Sequence, residues 1–257
     1  MKADLQTFWA IILASLAVPA PLPAAPAEKE DFALFLLMGQ SNMSGRGVIE
    51  AQDREPIPGA FKLNSGSRWI AAVDPLNSDG PKKVGVGPGR AFARTILQER
   101  PFEKIGLMSA AVGGTTLNQW GPKGRFYKRA VRMLRQGEKS GHLRAILWHQ
   151  GESDAAGTTD RAKTYAIRWV ALMRSLRRDA GCPHVPIIVG KLGDFVRRPQ
   201  AKIINSQLER LPTLLDNVVV VSSKGLRDTG DGLHFDALSQ RELGRRYANA
   251  YLSLLDK

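Results

Sequence analysis

Leu34-Phe35-Leu36-Leu37-Met38-Gly39-Gln40-Ser41-Asn42-Met43 is an apolar run that stops at a glycine and at once presents a serine. A continuous apolar stretch of this length predicts a strand buried on both faces, as in a parallel sheet. In such sheets ligands bind beyond the carboxyl ends of the strands. A serine held there, beside the first amides of the next element, is placed as a nucleophile. The blander role for Ser41 is a helix N-cap, because a serine oxygen also satisfies free amides.

Four further apolar runs, at 105–111, 145–148, 186–189 and 218–221, alternate with helical patterns at 89–99, 126–139, 202–211 and 239–255. The clearest helix follows Thr158-Thr159, with Ala162, Tyr165, Ala166, Trp169, Leu172, Met173 and Leu176 on one face, and it ends by Gly181. Alternating strands and helices predict an α/β fold: a three-layer α/β/α sandwich around a five-stranded, mainly parallel sheet with right-handed crossovers. Polar clusters follow three of the strands, at 39–44, 113–119 and 149–154, so adjacent strand ends are expected to build one pocket.

The 257 residues suffice for one well-buried domain, expected over 28–257. Ahead of it, residues 1–27 read as a signal peptide. Lys2 precedes an apolar run at 8–18, and a Pro/Ala stretch with Ala25-Pro26-Ala27 leads to Glu28. The run is well short of the roughly 20 residues of a spanning helix. The expected location is therefore secreted or periplasmic, with no transmembrane segment after leader cleavage.

One cysteine, Cys182, excludes an intrachain disulfide and a thiolate metal cluster. No His/Asp/Glu grouping has zinc-ligand spacing, so neither metal nor cofactor is expected. Thirty-seven Lys and Arg against 24 Asp and Glu give a net charge of +13. Solvated helix faces are the first reading of these residues, and attraction of this field to anionic glycans or surfaces is the second. The basic residues are spread over helices without a nucleic-acid motif, so no specific nucleic-acid partner is expected.

A serine hydroxyl needs a base within hydrogen-bond reach, itself oriented by a carboxylate or carbonyl. Of the four histidines, only His234 has an aspartate, Asp231, at a spacing that one loop turn can carry. His149 reads as a satisfied strand-end histidine, and His142 and His184 as surface loop residues. Ser44 is a rival hydroxyl, three residues further from the strand end. The G-x-S-x-G elbow is absent, because Met43 stands where the second glycine would be.

Gly39-Gln40-Ser41-Asn42-Met43, Gly113-Gly114-Thr115, Trp148-His149-Gln150-Gly151-Glu152-Ser153-Asp154 and Asp231-Gly232-Leu233-His234-Phe235-Asp236 together resemble the four blocks of the SGNH-type hydrolases. Within these they resemble the sialate O-acetylesterase and acetylxylan esterase branch, carbohydrate esterase family six. The blocks run in family order from about Ala33 to Tyr251. The resemblance implies a flavodoxin-like fold and a serine esterase acting on acetylated carbohydrate without cofactor. It makes Ser41 the nucleophile, His234 the general base and then acid, and Asp231 the residue orienting His234. The oxyanion hole would comprise the amide of Ser41, an amide of the Gly113-Gly114 turn, with Gly114 favoured, and the side-chain amide of Gln150. Many SGNH enzymes carry asparagine where this chain has Gln150, a departure typical of the narrower branch. Gly113, Glu152 and Asp154 are expected to shape the pocket. Two other readings are a lipase- or thioesterase-like hydrolase of other acyl esters and a non-catalytic glycan-binding protein.

Overall fold

The computed structural model describes residues 31–77 and 84–255; the expected leader at 1–27 lies outside the described residues. The opening run forms β1 (Phe32–Gly39), buried along its whole length. Leu34, Leu36 and Met38 enter one core with Trp120, Tyr165 and Trp169. Phe35 and Leu37 point the other way, into a second core with Phe92, Tyr247 and Tyr251. The period of two thus distributes one apolar run between two layers of helix.

After β1 come α1 (Ser41–Ser44), α2 (Ala51–Arg54), β2 (Ala60–Leu63), β3 (Trp69–Ala71), α3 (Pro88–Glu99) and β4 (Lys104–Ser109). A 3₁₀ turn (Leu117–Trp120), α4 (Arg125–Gly137), β5 (Gly141–His149), α5 (Glu152–Ala155), α6 (Thr159–Lys163) and α7 (Tyr165–Asp179) follow. The chain closes with β6 (Ile187–Gly190), α8 (Ala201–Glu209), α9 (Leu211–Leu214), β7 (Val218–Val221) and α10 (Ala237–Leu255). The sheet order is β3-β2-β4-β1-β5-β6-β7. Every neighbouring pair is parallel except β2 with β3.

The sheet therefore has seven strands, not the expected five. The two extra strands are short and lie at one edge, where continuous apolar burial is not required. β2 carries Lys62, whose ammonium donates to the carbonyls of Val73 and Pro75, and β3 is partly exposed. Edge strands of this kind leave no long apolar signature. The helix expected between Thr159 and Gly181 is also divided, at Thr164. There the hydroxyl of Thr164 donates to the carbonyls of Asp160 and Arg161, local bonds that compete with helix continuation.

On the second face α10 lies directly against α3, and Gly244 makes this possible. A Cβ there would stand 2.2 Å from the carbonyl oxygen of Pro88 and 2.9 Å from Ala91 Cβ. Gly244→Ala should therefore destabilise the protein although alanine is the better helix former. The propensity gain of about 1 kcal/mol is outweighed by overpacking of roughly 1–3 kcal/mol. Urea unfolding is expected to show a lower midpoint; a raised midpoint would contradict the close approach of the two helices.

Candidate active site

β4, β1 and β5 lie side by side at the centre of the sheet, and their carboxyl ends meet the three polar segments. Gly39 ends β1 with φ +131°, and a Cβ on it would fall 2.0 Å from the carbonyl oxygen of His149. Only glycine turns the chain so close to β5. The next amide, of Gln40, donates to that same carbonyl at 2.9 Å, and Ser41 then opens α1. The amide of Val112 donates to the Gly39 carbonyl, which draws the loop after β4 to the same point.

His234 comes from the loop between β7 and α10, and its Nε2 lies 3.0 Å from Ser41 Oγ. Its Nδ1 lies 2.5 Å from Asp231 Oδ2. A carboxylate only accepts, so Nδ1 carries the proton and Nε2 of the neutral ring is free to accept from the serine hydroxyl. Asp231 Oδ1 also accepts from the amides of Leu233 and His234, which ties acid and base into one turn. Burial raises the Asp231 pKa, but the amide and ring donors of His234 and the Leu233 amide outweigh it and hold the carboxyl below its ordinary value. The following helix is opened by a different aspartate, Asp236, whose carboxylate accepts from the Ser239 amide at the start of α10.

The cleft over Ser41 measures about 320 Å³. Gln40, Arg46, Gly114, Glu152, Arg198 and His234 are among its walls, while Ala156 and Leu233 are its apolar side chains. Gly114, at φ +74°, brings its backbone to the wall. Gln150 departs from expectation. It is fully buried, and its Nε2 is engaged by Thr115 O at 2.9 Å, Asp154 Oδ2 at 2.8 Å and Gln40 Oε1 at 3.1 Å. Its Oε1 accepts from the Tyr165 hydroxyl, which fixes the amide's orientation. Both hydrogens thus have protein acceptors, and the side chain stands behind the cleft wall, where it holds Gln40 in place.

Residues 31–253 match the sequence profile described as carbohydrate esterase, sialic acid-specific acetylesterase. The chain belongs to this family. It is 34% identical over 242 residues to a probable carbohydrate esterase of Arabidopsis thaliana, covering 86% of this chain and 90% of that protein. The crystal structure of that plant protein superposes with a TM-score of 0.81 at 32% identity, over 87% of this chain and 99% of the other. NanS, at 17% identity, shares the fold with a TM-score of 0.74, over 89% and 98% of the two chains. A carbohydrate acetylesterase from Xanthomonas citri, at 18% identity, gives 0.64 over 85% of this chain and 55% of its own. The protein is accordingly a carboxylic ester hydrolase of the SGNH type.

Two buried groups of the esterase lie beneath the cleft. Glu152 accepts from Asn42 Nδ2 at 2.5 Å, and its Oε1 lies 3.6 Å from His149 Nε2. Burial drives the Glu152 pKa up to about 7 and that of His149 down to about 3. The imidazole is therefore neutral and the contact is not an ion pair at neutral pH. His149 is also less satisfied than expected: Nδ1 meets the Tyr247 hydroxyl at 3.3 Å, but Nε2 has no hydrogen-bond partner. His142 is an exposed residue of β5 rather than of a loop, and His184 is an exposed loop residue. Asp154 is a buried acceptor for the Leu117 amide and Gln150. Among the described residues no group of three or more His, Cys, Asp or Glu is placed to hold a metal ion.

Sequence reasoning assigned no part to Gln40, Asn42, Arg46 or Arg198. The first two flank Ser41, and that adjacency was the available signal. Arg198 comes from the segment between β6 and α8, which carries no sequence mark of the site.

The raised Glu152 pKa fixes a pH dependence. A carboxyl that holds its proton more tightly folded than unfolded contributes stability that is lost as pH rises from its ordinary value through about 7. Glu152→Gln keeps an acceptor for Asn42 and removes the ionisation. Chemical denaturation at pH 5 and pH 8.5 should show the variant gaining on wild type at the higher pH; a constant difference would contradict the assignment.

Proposed function

We propose that the protein is an exported serine esterase that removes O-acetyl groups from carbohydrate through an acyl-enzyme. The observation that carries this reading is the unbroken sequence of contacts from Ser41 Oγ through the His234 ring to Asp231. Ser41 Oγ attacks the acetyl carbonyl carbon as its proton passes to His234 Nε2, and the carbonyl π electrons move to oxygen. Collapse of that tetrahedral species breaks the bond to the sugar oxygen, which takes the proton from His234. Water then repeats the sequence on the acetyl-serine and releases acetate. The amides of Ser41 and Gly114 are the backbone donors assigned to the oxyanion, and Gln150 acts through Gln40 rather than on the oxyanion.

The cleft favours a short acyl group. Its volume is at the small end of ligand pockets, and the aliphatic side chains that line it are those of Ala156 and Leu233, too few for the extended apolar channel that a long acyl chain requires. That contrast sets the acetylesterase above the lipase-like alternative, and the intact serine–histidine contact sets it above a non-catalytic glycan binder. A carbohydrate substrate is supported by membership of the family, and export by the leader pattern in the sequence. Attraction to anionic glycans has one structural support. Arg125, Lys128, Arg132, Arg135 and Lys139, spaced alternately three and four residues apart, are exposed along and just beyond α4. No helix among the described residues is long and apolar enough to cross a membrane.

Acetate release from a panel of acetylated sialates, xylo-oligosaccharides and longer acyl esters tests the reading. Acetylated sugars should be cleaved and long acyl esters should not; the reverse order would overturn it. Ser41→Ala should lower kcat on a small acetyl ester by at least roughly 10³-fold with an unchanged melting temperature. A serine-directed phosphonate should label wild type at Ser41 and leave this variant unlabelled.

Asp231→Asn should cost roughly 10- to 100-fold less in kcat than His234→Ala, because losing the base strands the serine proton whereas losing the carboxylate removes orientation and imidazolium stabilisation. Equal or reversed losses would reassign the two residues.

A further inference from the structure

Arg46 is the cation nearest in sequence to the nucleophile, and among the described residues its guanidinium is held from one side only. Nη1 donates to Ser44 Oγ at 2.9 Å and to the Gly45 carbonyl at 2.6 Å. Nη2 instead meets the open face of Gly113. A Cβ built on Gly113 would lie 2.4 Å from Nη2 and 3.6 Å from Ser41 Cβ. A single point in space is thus close to the free edge of the guanidinium, to the serine and to the glycine turn. The carbonyl oxygen of an ester attacked by Ser41 lies beside Nη2 if it enters that gap.

We propose that Arg46 Nη2 is the side-chain donor of the oxyanion hole, filling the part first expected of Gln150. The assignment rests on the serine-esterase reading above. It explains three features together. Gln150 has no hydrogen left to offer. Gly113 leaves open the space that the guanidinium occupies. Ser44, the hydroxyl that competed with Ser41 in the sequence, anchors the arginine.

The electrostatics agree with the geometry. Burial lowers the Arg46 pKa, and among the described residues no carboxylate offsets that cost. A half-buried cation without a counter-charge is poorly stabilised in the resting protein and gains most when negative charge develops beside it. A preorganised donor of that kind acts chiefly in the transition state.

The test uses 4-nitrophenyl acetate, a neutral ester that offers the arginine no anionic substituent to bind. Arg46→Met should reduce kcat by roughly 10²–10³-fold, the effect of deleting one oxyanion donor, while KM changes little. Arg46→Lys should keep an intermediate kcat. Guanidinium chloride below denaturing strength should restore part of the activity of Arg46→Ala and none of that of Ser41→Ala. Retained kcat in Arg46→Met, a change confined to KM, or failure of guanidinium to restore Arg46→Ala would each overturn the assignment, whatever the melting temperatures. A wild type that cleaves no acetyl ester would overturn the esterase reading and the arginine's part with it, whereas an active wild type with any of those three results would overturn the arginine's part alone.

Discussion

The side chain of Asn42 is the joint on which the site depends. Its Oδ1 accepts from the Phe235 amide at 3.1 Å, and its Nδ2 donates to the Leu233 carbonyl at 3.1 Å, so one amide grips the backbone on both sides of His234. The same nitrogen donates to Glu152 at 2.5 Å, and Gln240 of α10 approaches the oxygen at 3.4 Å. Asn42 follows the nucleophile directly, so the serine and its base are registered by a residue with no freedom to drift from either. Asn42 itself is fully buried, and removing the amide would leave several polar groups without partners at about 1–3 kcal/mol each.

Below that joint lies a layer of buried polar side chains. Gln40, Gln150, Asp154, Thr115 and Tyr165 exchange hydrogen bonds between the ends of β1 and β5 and the segment after β4. A fully satisfied network in a low-dielectric interior is stiff, since every departure strands a donor or acceptor. The three loops that converge on Ser41 are thus held by polar contacts, while the strands beneath them are held by apolar packing. Neither half of this arrangement suffices alone: the cores locate the strand ends to within a residue, and the network decides which way the side chains point.

What could be read from the sequence was whatever the physics makes continuous or local. β1 was legible because burial on two faces demands an uninterrupted apolar run, and Asp231 with His234 because one turn carries both. β2 and β3 were not, because short edge strands satisfy themselves with a snorkelling lysine and partial exposure. Ser41 and Gly114 were legible as a strand end and a glycine turn. The actual place of Gln150 was not, for its acceptors come from segments 4, 35 and 110 residues away and only the fold assembles them. Arg198 reaches the cleft from a segment with no motif at all.

The loop carrying Asp231 and His234 is bound into a unit by its own hydrogen bonds, and it meets Ser41 from 193 residues away. Acid and base therefore remain a competent pair even when the loop lifts from the serine. What opens in such an event is a docked joint in which Phe235 leaves its seat in the second core, while the strands need not move. Local opening of this kind costs far less than global unfolding. Two thermometers are built into one molecule: the melting of the sheet and helices, and the seating of a single loop. A sample can be wholly folded by the first and still catalytically silent by the second.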